Sequence, residues 1–535
     1  MRKFKAVLLS SSLRLFASLL LCLSFLHAES FKVIGSRAMA VGGACVAACE
    51  GSLAQYWNPA NFSPGAFELN ITGGGEVQAT GNLLKEVNDI AGLASSISRV
   101  QTLQTAGTAI STLTATEMQT FIKAVKEISD LNGSGTGVLV GGNVQGSIKI
   151  SKFGLSVLNT TEIGGSPFVD TSFVSLGGIG GQSALSAVGN FNGGVLTDVG
   201  TTAPPTSLTA TRDDLATYLC NNFASVMPDF NGDAATPGAA ACSADAQRLA
   251  NELVNQANSA GLSQSDIANV AQTLTQVAGN NAVSGSSSTF ANNTTNLTVR
   301  GAGLTELALT IPLPIPHVFG LSFGTNLKII RGDMAYTQVN VLSQNQSIGN
   351  ILTNGTQNTV TSYKPAIDLG MSWDLQNILP LRFGAVARNI NRPSFDKPKD
   401  NPLTAIKEGE GGSFKTDPQV RAGVAFWPLG KHWTIMSDID LTNNSTLVPG
   451  FKSRYGSIGT ELMIGGKGFG LALRAGALKN LAEKLKPVIT GGVGLNFLHL
   501  SFEVAGGIST KTVLTETGNK IPESAYATGN FAFRF

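Results

Sequence analysis

Beyond Phe67, apolar and polar residues alternate with period two through most of the chain, in segments separated by turn-forming or polar stretches. An extended backbone points successive side chains to opposite faces, so this period predicts half-buried strands. Fourteen segments read this way, the first at 67–79 and the last at 524–535. In one of them Trp433, Ile435, Ile439 and Leu441 share a face, and Thr434, Asp438 and Asp440 share the other. Ile458, Leu462 and Ile464 likewise oppose Ser457 and Glu461, while Phe469, Leu471 and Leu473 oppose Arg474. Segments of about ten residues suit a tilted strand crossing a bilayer.

The connections select the architecture. Even-numbered segments are followed by short turns, such as Ser151-Lys152, the PLGK from Pro428 and the GGK from Gly465. Odd-numbered segments are followed by long connections, so every long loop falls at one end. The expected fold is therefore all-β: an up-and-down transmembrane β-barrel of about fourteen antiparallel strands with external loops. Two of those loops, at about 81–136 and 165–293, carry apolar residues at helical spacing. The first shows Leu83, Leu84, Val87 and Ile90, and the second runs from Asp245 to Val277 with a start signal at Ser263 to Asp266, which predicts helical inserts.

Both ends of the chain add to this. The last residues, SAYATGNFAFRF, put Phe531, Phe533 and Phe535 on one face. A final alternating strand ending in Phe resembles the assembly signal of bacterial outer-membrane barrels, and closing the ring there removes an exposed edge. Phe31 to Pro64 lacks the alternation and is rich in small residues, so residues 29–66 are expected to form a plug in the lumen of a barrel spanning 67–535. Residues 1–28 read as a signal peptide: a basic MRKFK, an apolar run from Leu15 to Leu26 and a cleavage site after Ala28. The run falls well short of the ~20 residues of a membrane-spanning helix.

Charged residues make up 13% of the chain, about half of what soluble proteins carry. Without Arg2, Lys3, Lys5 and Arg14 the 37 bases become 33 against 35 acids, which gives a nucleic-acid partner no support. The expected location is the outer membrane of a Gram-negative-type bacterium, with outer-membrane lipids and the barrel assembly machinery as partners. Cys220 and Cys242 share a polar stretch and are the disulfide candidate; Cys45 and Cys49 form a short bridge or remain buried thiols. His317, His432 and His499 each begin a strand at the short-turn end, a placement at the membrane interface rather than a metal site. With no Gly-x-Ser-x-Gly or His-Glu-x-x-His, no enzyme, metal or cofactor is expected. Arg421, Asp438, Asp440, Glu461, Arg474, Glu503 and Arg534 lie on the lumen side of nearby strands. They are expected to pair and hold the plug, because an unpaired buried charge is costly.

Gly35 to Ala60 reads GSRAMAVGGACVAACEGSLAQYWNPA, in which small residues precede Tyr56, Trp57, Asn58, Pro59 and Ala60. This resembles the N-terminal signature of the FadL-like clan of outer-membrane proteins, whose long-chain fatty acid transporters carry a hatch inside a fourteen-stranded barrel. DPQVRAGVAFWP from Asp417, HWTIMSDIDLTNN, LRAGALKNL and PVITGGVGLNF resemble the TraF-type outer-membrane family named after the F-plasmid transfer operon. That likeness covers the C-terminal strands and the N-terminal signature and leaves out the inserts. It implies a passive transporter of hydrophobic or amphipathic small molecules, gated by the plug. Tyr56, Trp57, Asn58 and Phe62 are then the candidate ligand-binding residues, since an aromatic pair with a polar edge suits an amphipathic ligand. The alternative is a non-transporting envelope barrel for assembly, conjugation or secretion, or for partner binding through its external loops.

Overall fold

A computed structural model describes residues 27–62, 65–81, 83, 131, 133–168, 200–223, 239–267, 296–314, 320–340, 358–399, 409–466, 468–514 and 520–535. Fourteen strands close into one antiparallel ring. They are β1 (Gly65–Thr80), β2 (Gly137–Ser151), β3 (Phe153–Phe168), β4 (Asn296–Pro314), β5 (Leu321–Asn340), β6 (Thr359–Asp374) and β7 (Leu381–Arg388). The second half comprises β8 (Gln419–Phe426), β9 (Trp433–Asp440), β10 (Tyr455–Gly465), β11 (Phe469–Asn480), β12 (Val488–Phe497), β13 (Leu500–Ser509) and β14 (Ser524–Arg534). Each strand pairs with the next, and β14 closes on β1 with Phe531 opposite Ile71. Every wall strand is thus paired on both sides, and the ring leaves no open edge strand, which a bilayer demands.

Alternation places the faces as expected. Ile71, Val144, Val157, Ile329, Ile458 and Val504 are exposed on the outside, while Glu68, Lys328, Arg421, Asp438, Glu461 and Arg474 are buried inside. Phe153, Phe469, Phe497 and Phe535 are exposed where strands meet the short turns, an aromatic girdle at one interface. The strands are unequal: β4 and β5 have 19 and 20 residues, whereas β7, β8 and β9 have 8 each.

At the closure, Phe531 packs on Phe502 with ring centroids 5.2 Å apart, and Phe535 packs on Phe533 at 4.7 Å and on His499 at 4.9 Å. The Phe535 amide donates to the Phe67 carbonyl at 2.9 Å. Deleting Phe535 removes this hydrogen bond and the ring pair, together on the order of 1–2 kcal/mol at the seam. The expected result is a lower yield of assembled barrel, scored as heat-modifiable migration on gels; an unchanged yield would deny the residue that role.

The first expected insert lies almost wholly outside the described residues. In the second, one helix spans Ala239–Ser259, Gly261 turns the chain at φ 78°, and a helical turn follows the start signal expected at Ser263. The Ser263 hydroxyl accepts from the Asp266 amide at 3.4 Å, as the start signal predicts. The first helix packs on Thr209–Phe223, burying Leu215, Leu219, Leu249 and Leu253. Cys220 is disulfide-bonded; the side chain of Cys242 lies outside the described residues.

Candidate functional site

The N-terminal segment runs inside the ring. It enters at the long-loop end, where His27–Glu29 pairs in parallel with Asn443–Ser445, and ends at the short turns, where it joins β1. Two short helices, α1 (Ser36–Ala40) and α2 (Ala54–Trp57), punctuate it. Gly42 and Gly43, at φ 70° and 87°, end α1 and let the Gly43 amide return to the Ala38 carbonyl at 2.7 Å. Cys45 and Cys49 are joined by a disulfide across the next turn. Asn58 caps the turn Pro59–Asn61, its Oδ1 accepting from the Ala60 amide at 3.1 Å. Its Nδ2 donates to the carbonyls of Val46 and Met371, tying the segment to itself and to β6.

The wall meets this backbone with glycine. A Cβ on Gly384 would strike the Val46 carbonyl, on Gly370 the Asn58 side chain and Pro59, and on Gly324 the Pro59 carbonyl. Beyond the next two strands, on β10, β11 and β12, a Cβ on Gly459 or Gly476 would strike Val41, and one on Gly492 would strike Ala40. All six sit at inward-facing positions of their strands, where the alternation elsewhere places polar or charged side chains. The segment therefore lies directly on side-chain-free stretches of six strands.

Of the four ligand candidates, Tyr56, Trp57 and Asn58 are packed into the segment. Trp57 is fully buried and its indole N–H donates to the Ile34 carbonyl at 2.9 Å; the Tyr56 hydroxyl donates to the Lys32 carbonyl at 2.8 Å. Phe31 completes a cluster with ring centroids 5.4 to 5.5 Å apart. Two wall guanidiniums close on it, Arg388 at 4.1 Å from the Tyr56 ring centroid and Arg421 at 4.1 Å from that of Phe31. Desolvated contacts of this kind contribute about 2 kcal/mol each. Phe62 is equally buried, 1% exposed, and borders a cavity of about 250 Å³ at the short-turn end, with Asn61, Pro312, Phe323, Asp374 and Arg382. A second cavity, about 340 Å³, opens at the loop end among Arg300, Met334, Tyr336, Lys397, Glu410 and Phe414.

The seven ionic candidates form three separate groups. Arg421 Nε bonds Asp440 at 2.5 Å, and beside it Asp438 Oδ2 accepts the amides of Cys45 and Val46 at 2.7 and 2.8 Å. Glu461 bonds Arg474 at 2.5 Å, which reaches on to Glu503 at 3.0 Å. Arg534 pairs with Glu68 at 3.2 Å near the short turns.

Sequence reasoning did not single out the segment's own cations. Lys32 bonds Glu76 at 2.7 Å and also Glu162, and Arg37 clamps both oxygens of Glu461 at 2.8 and 2.9 Å. On the far wall Lys328 bonds Asp368 at 2.8 Å and Glu306 at 3.2 Å, and Glu306 also takes Arg388 at 2.8 Å. Charges at inward parity on the early strands were the available signal for these.

The chain is similar in outline to solved outer-membrane proteins. The P. putida toluene transporter TodX aligns with 11% identity and a TM-score of 0.39, over 95% of this chain and 99% of that one. A Pseudomonas aeruginosa FadL homologue aligns with 7% identity and a TM-score of 0.40, over 95% and 99%. No curated protein matches. A family match runs over residues 55–440, so it takes in both inserts and stops before β10, whereas the sequence likeness rested on the C-terminal strands and left the inserts out. With the greater part of its length matched, this chain belongs to the family described as F plasmid transfer operon, TraF, protein.

Proposed function

We propose that the chain is a gated passive transporter of the outer membrane for hydrophobic or amphipathic small molecules, closed in this conformation by its N-terminal segment acting as a plug. The glycine seat carries the reading. Because the wall presents no side chain to the segment at those six positions, the segment can leave them without unpicking the wall, and a cavity lies beyond each end of it. Phe62 offers the ligand contact at the short-turn cavity, while Tyr56, Trp57 and Asn58 would meet ligand once the segment moves. Outer-membrane lipids would surround the apolar belt, and Phe531, Phe533 and Phe535 would be read by the assembly machinery.

The second reading, a non-transporting envelope barrel that works through its external loops, is favoured by one observation: the lumen is crossed by paired buried ions. Deleting residues 31–60 separates the two. A transporter without its plug should show conductance in planar bilayers far above that of the full chain. Equal conductance of the two proteins would remove the gate and leave the non-transporting reading standing.

A further inference from the structure

The plug is bonded to the two sides of the wall differently. Toward β4, β5 and β6 its contacts are direct: Asn326 Nδ2 donates to the Gln55 carbonyl at 2.7 Å, Asn58 Nδ2 to the Met371 carbonyl at 3.0 Å and the Ser322 hydroxyl to the Ala60 carbonyl at 3.2 Å. Toward β13, β14, β1 and β2 it is anchored only at the margins. On the loop-end margin Lys32 bonds Glu76 at 2.7 Å and Ser36 meets Thr528 at 3.4 Å; on the other margin Ser52 Oγ donates to Glu68 at 2.9 Å and Gln55 Nε2 to the Ile148 carbonyl at 3.3 Å.

Between those margins lie two adjacent rows of wall residues. Ser501, Ala532, Asn70 and Ser147 are successive register partners, and Glu503, Asn530, Thr72 and Gln145 form the next row. Asn70 is fully buried, and Gln145, Ser147, Ser501 and Asn530 are buried around it. Ser501 Oγ, both polar atoms of Asn70, Ser147 Oγ, Gln145 Oε1 and Asn530 Oδ1 have no hydrogen-bond partner among the described residues. Buried polar groups are nearly always satisfied, so five such side chains side by side are a concentrated cost of the closed state. Parting the plug from this wall gives up the marginal contacts but recovers that cost; parting it from β4, β5 and β6 breaks the direct bonds there with no such recovery.

We infer that the plug opens along this seam and that the seam receives the uncharged, hydrogen-bonding head of an amphipathic solute. The inference rests on the plug reading and adds the route and the head-group class. Amides and hydroxyls offer donors and acceptors to a hydroxyl- or amide-bearing head. Glu68 and Glu503 flank the seam and oppose a carboxylate head; they engage Arg534 and Arg474, and Lys149, in the Glu68 row, holds its ammonium beside Gly65 at the short turns.

The test uses the full chain in proteoliposomes, with a single cysteine at Ser147 or Ser501 and controls at Thr310 and Ala366, two equally buried positions on the bonded side. A membrane-impermeant methanethiosulfonate should label Ser147→Cys and Ser501→Cys at least about tenfold faster than Thr310→Cys and Ala366→Cys, because labelling tracks local opening. Equal or slower labelling in variants that keep heat-modifiable migration overturns the seam. Three probes with the same alkyl chain then test the head group. n-Hexyl glucoside should slow labelling of Ser147→Cys, whereas hexanoate and hexane should not; equal protection by either, or none by the glucoside, overturns the assignment. If deleting residues 31–60 raises conductance while all four cysteines label alike, the plug stands and the seam falls. If the deletion leaves conductance unchanged, the plug reading itself has failed.

Discussion

Gly370→Val and Gly476→Val are each expected to push the plug off its seat and raise single-channel conductance toward that of the 31–60 deletion. A Cβ at Gly370 lands on Asn58 Oδ1 and Pro59 Cδ, and one at Gly476 lands on the Val41 and Gly42 backbone. Neither target can turn aside as a side-chain tip would. Asn58 is held by the Val46 and Met371 carbonyls, and the turn at Gly42 and Gly43 is closed by its own hydrogen bonds. Overpacking of this kind costs about 1–3 kcal/mol, and at about 1.4 kcal/mol per decade the closed-to-open ratio falls by roughly 5- to 150-fold. Gly529→Val is the control, because a Cβ there meets nothing within 4 Å. Bilayer recordings in which both inner-face variants stay as closed as the control would show that the plug adapts and that the seat does not set the gate.

Glu461→Gln should destabilise the barrel and loosen the plug together. Glu461 accepts from Arg37 of the plug through both oxygens and from Arg474 of the neighbouring strand, and its side chain and that of Arg474 are about 95% buried. The neutral amide leaves two guanidiniums sharing Glu503, and breaking a buried pair in this way costs about 3–5 kcal/mol. Unfolding from lipid vesicles in urea, followed by Trp fluorescence, should show a lower midpoint, with conductance raised in the same preparation. Glu461→Asp keeps the charge and should recover part of both. A midpoint equal to that of the unaltered chain would mean that the three charges are solvated rather than coupled.

The strands and their faces were legible because the evidence for them is local. Trp433, Thr434 and Ile435 announce inward and outward positions within three residues, and Ser151-Lys152 announces a turn without reference to anything distant. The plug's anchors were not legible, because they depend on ring closure. Nothing near Arg37 in the sequence indicates Glu461, and Lys32 meets Glu76 and Glu162 only once β1 and β3 are placed around it. Tyr56 and Trp57 looked like a ligand platform because Phe31, Arg388 and Arg421, which enclose them, approach from three separate parts of the chain. The glycine seat had a readable trace: Gly370, Gly384 and Gly476 occupy inward positions of strands that otherwise carry polar groups there.

The unequal strands bear on the membrane as well as on the protein. At about 3.4 Å per residue and a tilt near 40°, a 20-residue strand such as β5 rises roughly 50 Å, whereas the 8 residues of β7, β8 or β9 rise only about 21 Å, less than the apolar band of about 25 Å usual for such barrels. On the β4–β5 side the wall stands clear of the bilayer as a parapet. On the β7–β9 side the acyl chains must shorten to meet it, at a cost of fractions of a kcal/mol per ångström. The rim is thus tilted and the bilayer beside it graded in thickness, so lipid composition acts unevenly around the circumference. A thicker membrane squeezes the arc that carries Arg388, Arg421, Asp438 and Asp440 before it touches the rest of the ring.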